Sequence, residues 1–124
     1  MLRTLGLSAA LFALFVAGSS SALGQGASTP TLKGTVGPSF TISLTKGGKA
    51  VKSLKAGTYK VTVSDKSSMH NFTLERETKP KIEKHVTATA FTGTKSMTIN
   101  LKPGNWKFYC SVHESLMHGT FKVH

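Results

Sequence analysis

The only cysteine of this chain, Cys110, opens the stretch Cys110-Ser111-Val112-His113-Glu114-Ser115-Leu116-Met117-His118-Gly119. A histidine follows it by three residues, and a methionine follows that histidine by four. A thiolate, an imidazole and a thioether within one loop suit copper better than other common metals. Soft sulfur holds Cu(I), imidazole serves both oxidation states, and a weak thioether completes a distorted trigonal site. The set needs a second histidine from elsewhere, and His70, in Ser67-Ser68-Met69-His70-Asn71-Phe72, is the candidate. Zinc on the same cysteine and histidines is a chemical alternative. A buried thiol acting as a small hydrophobe is the bland reading of Cys110, and its metal-ligating neighbours count against it.

Strands are the elements available to position these side chains. Phe40, Ile42 and Leu44 alternate with Thr41, Ser43 and Thr45, the period-2 pattern of a half-buried strand, and Gly47-Gly48 ends it in a turn. After a turn at Lys55-Ala56-Gly57, Tyr59, Val61 and Val63 face one way and Lys60, Thr62 and Ser64 the other; Phe72 and Leu74 continue the scheme past His70. The segment from Lys79 to Ala90, with Pro80 and a weak pattern, reads as a loop with a short helical turn. Met97, Ile99 and Leu101 alternate again, Pro103-Gly104 turns the chain, and Trp106, Phe108 and Cys110 share one strand face. Thr120 to Val123 makes a last short strand. Short strands punctuated by turns, with no internal repeat, predict an all-β sandwich or barrel.

The N-terminus reads as an address. Arg3 precedes an apolar run from Leu5 to Val16, and Ser19-Ser20-Ser21-Ala22-Leu23-Gly24 supplies the small residues of a cleavage site after Ala22 or Gly24. The run is shorter than the ~18 residues of a spanning helix, so residues 1–24 are expected to be a cleavable signal peptide. Residues 25–31, rich in Gly, Ser, Thr and Pro, read as a flexible linker. Residues 32–124 then form one small domain. With a single cysteine no internal disulfide exists, so the domain must form a complete apolar core.

Beyond the leader the chain carries 15 Lys and Arg against 5 Asp and Glu, a formal net charge of +10. The lysines are scattered singly (Lys46, Lys49, Lys52, Lys55, Lys60, Lys66) among strand residues, as on a solvated face. A nucleic-acid groove would show a basic stripe with stacking aromatics, so nucleic acid is not the expected partner. Steering towards an anionic partner or surface is the better inference.

Two motifs in order, Ser68-Met69-His70-Asn71-Phe72 and Tyr109-Cys110-x2-His113-x3-Met117-x-Gly119, make the chain resemble the cupredoxins, the small blue copper proteins that include plastocyanin, amicyanin and pseudoazurin. The resemblance spans about Leu32 to His124. It implies a Greek-key β-sandwich and one type 1 copper ion, with His70, Cys110 and His113 as equatorial ligands and Met117 as the weak axial one. Loops of the family place the axial methionine three or five residues after the second histidine; here Met117 is four after it and His118 five. The family glycine that follows the methionine by two residues matches Gly119, which selects Met117 over His118. The resemblance also gives Asn71 a hydrogen bond towards Ser111 that ties the ligand loop to the His70 strand; an ordinary strand-edge asparagine is the alternative. Trp106 and Phe108 read as core, and His85 and His124 as surface residues.

The implied function is an exported, monomeric electron carrier cycling Cu(II) and Cu(I), in the periplasm or at the cell surface. It would meet an acidic redox protein, such as a cytochrome or oxidase domain, transiently through the edge of His113 and an apolar patch that includes Leu116. Copper storage, delivery or protection on the same fold stays open. An enzyme is disfavoured: four protein ligands leave no position for substrate, and the chain has no His-x-His pair.

Overall fold

The computed structural model of the chain describes Gly18 and residues 28–124. Apart from Gly18, the expected signal peptide and residues 25–27 of the linker lie outside the described residues. The described chain holds ten strands and no helix. One sheet, in the order β3-β2-β1-β5-β8, contains β1 (Thr31–Val36), β2 (Ile42–Lys46), β3 (Lys49–Ala50), β5 (Gly57–Asp65) and β8 (Gly93–Leu101). The other, in the order β4-β10-β9-β6-β7, contains β4 (Ser53–Leu54), β6 (Phe72–Arg76), β7 (Ile82–Thr87), β9 (Gly104–Tyr109) and β10 (His118–Val123).

The expected alternation places the core between these sheets. Tyr59, Val61 and Val63 of β5 and Ile99 and Leu101 of β8 are buried from one side, and Phe72, Leu74, Trp106, Phe108 and Phe121 from the other. Phe72 and Phe108 stack with ring centroids 6.1 Å apart, and Trp106 stacks on Phe121 at 6.3 Å. The indole N–H of Trp106 donates to the Lys102 carbonyl at 2.9 Å, so this fully buried ring leaves no polar group unpaired. Gly34 lies on β1 where a Cβ would approach the Phe72 ring to 2.8 Å, which makes it the point where ring and strand pass closely.

Two local readings change. The segment from Lys79 to Ala90 carries a strand, β7, where a loop with a helical turn was expected. β7 pairs antiparallel with β6, and a register irregularity between Phe72 and Thr73 breaks the alternation, so Val86 and Thr87 are both buried in succession. Phe40 is not a core strand residue. Gly37, at φ 71°, turns the chain out of β1, and its N–H closes the loop on the Thr41 carbonyl at 2.9 Å. The strand therefore starts at Ile42, and the Phe40 side chain is 53% exposed. Between β1 and β5 the pairing is parallel, from Thr31 opposite Lys60 to Val36 opposite Asp65.

Candidate metal centre

Every sequence-predicted ligand sits at one end of the sandwich. His70 lies in the β5–β6 connection and is 2% exposed; Cys110 follows β9 and is fully buried; His113 is half-buried on the β9–β10 loop; Met117 closes that loop and is fully buried. The loop is wound on itself: the N–H groups of Leu116 and Met117 donate to the His113 carbonyl, that of His113 to the Cys110 carbonyl, and that of Cys110 to the Met117 carbonyl at 3.0 Å. The antiparallel pair β9–β10 clamps both of its ends, with His118 opposite Tyr109.

His70 Nδ1 and His113 Nδ1 are 3.1 Å apart, and each is 3.9 Å from Cys110 Sγ. The centre of the triangle with these edges lies about 2.1 Å from all three atoms, a length that suits bonds from imidazole nitrogen and thiolate sulfur to a transition metal. Two nitrogens and one sulfur in a plane, with a buried thioether residue on the same loop, fit a single type 1 copper ion. His118 is placed elsewhere: its ring Nδ1 bonds the Glu114 carbonyl at 2.8 Å on the exposed side of the loop.

The residue that orders this centre is Asn71. Its backbone N–H donates to Cys110 Sγ at 3.4 Å. Its side-chain oxygen accepts from the Ser111 N–H at 2.9 Å and the Thr73 hydroxyl at 3.2 Å, while its amide donates to the Ser111 hydroxyl at 2.7 Å and to Thr89 Oγ1 at 3.0 Å. The buried amide is thus fully paired, and it fastens the cysteine loop to the His70 segment and to the loop after β7. The alternative of an ordinary strand-edge asparagine falls. Upstream, the buried carboxylate of Asp65 accepts from the Ser67 N–H at 3.1 Å and shapes the turn that leads to His70.

A second polar network holds the outer side of the loop. Lys107 pairs with Glu114, next to His113, and with Glu77 at 3.1 Å, and its ammonium lies 4.4 Å from the centre of the Tyr109 ring. Burial works against the Lys107 charge, but hydrogen bonds and attraction from Glu114 and Glu77 outweigh it and raise its pKa. Beside it the Tyr109 hydroxyl donates to Glu75 at 2.9 Å, and Lys81 lies 3.3 Å from the same carboxylate. Burial also opposes ionisation of Glu75, yet Tyr109, Lys81 and Lys107 together hold it below its ordinary value. Burial and then Glu75 push the Tyr109 phenol far upward, so it is a permanent neutral donor.

Sequence reasoning missed Phe40. Its ring centroid lies 5.0 Å from that of His113 in an edge-on arrangement and 5.5 Å from that of His70. The turn at Gly37-Pro38 was the available signal, because it separates Phe40 from the strand pattern that follows. Phe40, Met69, Val112 and Leu116 are the exposed large hydrophobic residues among the described ones, and all four lie on the loops that carry or flank the ligands. Together they form an apolar rim at the His113 end.

No family model matches the sequence, and no curated protein matches it in sequence. Solved structures do match the fold. The copper protein rusticyanin aligns with a TM-score of 0.55 at 17% identity over 76% of each chain. Auracyanin A, a "blue" copper protein from the green thermophilic photosynthetic bacterium Chloroflexus aurantiacus, aligns at 0.54 and 16% identity over 78% of this chain and all of its own. A reduced amicyanin variant aligns at 0.50 and 12% identity over 80% of this chain and 87% of its own. The chain has the cupredoxin fold of the blue copper proteins, with His70, Cys110 and His113 drawn together at one end of it.

Proposed function

We propose that this chain is an exported electron carrier built around one type 1 copper ion. The observation that carries the reading is the triangle of His70 Nδ1, His113 Nδ1 and Cys110 Sγ, prebuilt between a rigid sandwich and a self-bonded loop. Bound there, copper supplies a one-electron couple between Cu(II) and Cu(I). His70, Cys110 and His113 would be its equatorial ligands and Met117 its weak axial one. The protein's part is to keep these donors still in both oxidation states, so that little rearrangement accompanies each transfer. Asn71 serves this by fixing the thiolate through its N–H and the loop through its amide, and Phe40 by packing on both imidazoles.

His113 is the half-buried ligand, next to exposed Val112 in sequence and packed edge-on against exposed Phe40, and its ring edge is the natural exit for the electron. A rim of Phe40, Met69, Val112 and Leu116 without strong ion pairs favours a brief encounter. The net charge of +10 would draw an acidic redox protein, such as a cytochrome or oxidase domain, to a monomeric carrier. Export to the periplasm or cell surface follows from the reading of residues 1–24; among the described residues no helix is long and apolar enough to cross a membrane.

The test is the visible and electron paramagnetic resonance spectrum of residues 25–124 loaded with Cu(II). An intense thiolate-to-copper band and narrow hyperfine splitting, both lost in Cys110→Ser, are expected. A pale spectrum with wide splitting would remove the thiolate from the site and overturn the proposal.

A further inference from the structure

Every acidic residue of this domain is paired or buried, and Glu77 shares a neighbouring cavity with Lys52. Glu75 is paired with Lys81, Glu77 and Glu114 with Lys107, and Glu83 with His85, while Asp65 is buried at the metal end of β5. From Ser28 to Ser64 the chain has six lysines and no acid. Four of these, Lys46, Lys49, Lys52 and Lys55, line a single open cavity of about 420 Å³ together with Tyr59 and His124, and no acidic side chain lines it.

This cavity lies at the pole remote from the metal centre. β2 leaves the Phe40 loop and ends at Lys46; β10 leaves the ligand loop and ends at Val123; β5 starts at Gly57 and reaches the His70 turn only after Asp65. The cations here are therefore not the ones that a partner seated on the apolar rim would touch. The N-terminal segment also joins the domain from this side. The Pro30 carbonyl accepts from the Lys60 N–H at 2.9 Å, and β1 then runs towards the metal end.

From this segregation we infer that the lysine pole is a docking surface for an anionic phospholipid membrane, which holds the domain with its metal end facing away. Lys46 and Lys49 face each other across the β2–β3 pair and line the cavity with Lys52 and Lys55, so they act together on a negatively charged leaflet. The apolar rim stays free for a redox partner, so one small domain is both tethered and accessible.

The inference does not rest on the metal reading. It is tested by co-sedimenting residues 25–124, which contain the whole core from Leu32 to Val123, with vesicles of phosphatidylglycerol and phosphatidylcholine or of phosphatidylcholine alone. Binding is expected only to the anionic vesicles, falling with added salt, and equally for Cys110→Ser. The combined change of Lys46, Lys49, Lys52 and Lys55 to Gln should weaken it about ten-fold or more. The same change in charge at Lys33, Lys66, Lys84 and Lys95 should leave most of it. Acetylation footprinting on vesicles should protect Lys46, Lys49, Lys52 and Lys55 and leave Lys66 and Lys95 reactive. No binding, equal losses in both fourfold variants, or displacement by millimolar inorganic phosphate would each overturn the inference, the last by revealing a small-anion site instead.

Discussion

The backbone N–H of Asn71 points at Cys110 Sγ from 3.4 Å, across 39 residues of sequence, while the Asn71 side chain brackets Ser111 from both sides. One residue therefore aligns the thiolate donor and secures the loop that bears it. An N–H donor stabilises negative charge on sulfur, so it favours the thiolate over the thiol and moderates how strongly sulfur donates to a metal.

Replacing Asn71 by Ala keeps the backbone N–H and removes the clip. Ser111 and Thr89 lose buried partners, so stability should fall by about 1–3 kcal/mol in urea unfolding. The blue band should persist but copper should leave faster to a chelator, because the ligand loop opens more often. Unchanged copper release would show that β9 and β10 alone hold the loop.

Phe40→Ala should separate packing from redox tuning. The ring is half in water, so unfolding free energy should change by no more than about 1 kcal/mol. Its loss admits water to the outer faces of His70 and His113, which favours the more highly charged oxidised state. Voltammetry should show a lower reduction potential than in the parent, with Phe40→Leu between the two.

Met117 and His118 make opposite predictions for the axial position. Met117 is fully buried in the loop, and His118 is turned outward to the Glu114 carbonyl. Met117→Leu should alter the copper hyperfine splitting and raise the reduction potential by removing a donor. His118→Ala should leave both within error. A spectrum that changes only on loss of His118 would transfer the axial role to it.

Glu75 carries an acid-limb signature. Its pKa is lowered on folding, so its contribution is fully present above the unfolded carboxylate value of about 4.5 and disappears as pH falls through the lower folded value. Stability measured downward from pH 5 should fall more steeply in the parent than in Glu75→Gln. Parallel curves would mean that Tyr109 and Lys81 hold an uncharged group equally well.

Most of the sandwich was legible because its faces alternate strictly: Tyr59, Val61 and Val63, then Ile99 and Leu101, then Trp106 and Phe108 each fall on a buried face. The cluster of His70, Cys110 and His113 was legible from ligand chemistry and spacing. Phe40 was not, because a turn residue two places before a strand continues its period by coincidence. Nor was β7, where the irregular register opposite Phe72 buries two adjacent residues and erases the alternation. Gly119 marked the end of the ligand loop by resemblance, and the structure supplies its physical reason. A Cβ there would collide with the Phe108 ring, which needs that space to stack on Phe72. Pairing of β1 with β5 could not be read, since alternation identifies a strand's faces and is silent on its neighbours.

The account turns on a metal centre that changes oxidation state without moving its ligands. Electron self-exchange tests this most directly, measured by proton line broadening in mixtures of the Cu(I) and Cu(II) forms of residues 25–124. Broadening of the His70, His113 and Phe40 ring signals in proportion to the oxidised fraction, with a single averaged set of lines, is the predicted result. Two separate sets, one for each oxidation state and without exchange between them, would contradict an electron carrier and leave a copper-holding protein on the same fold.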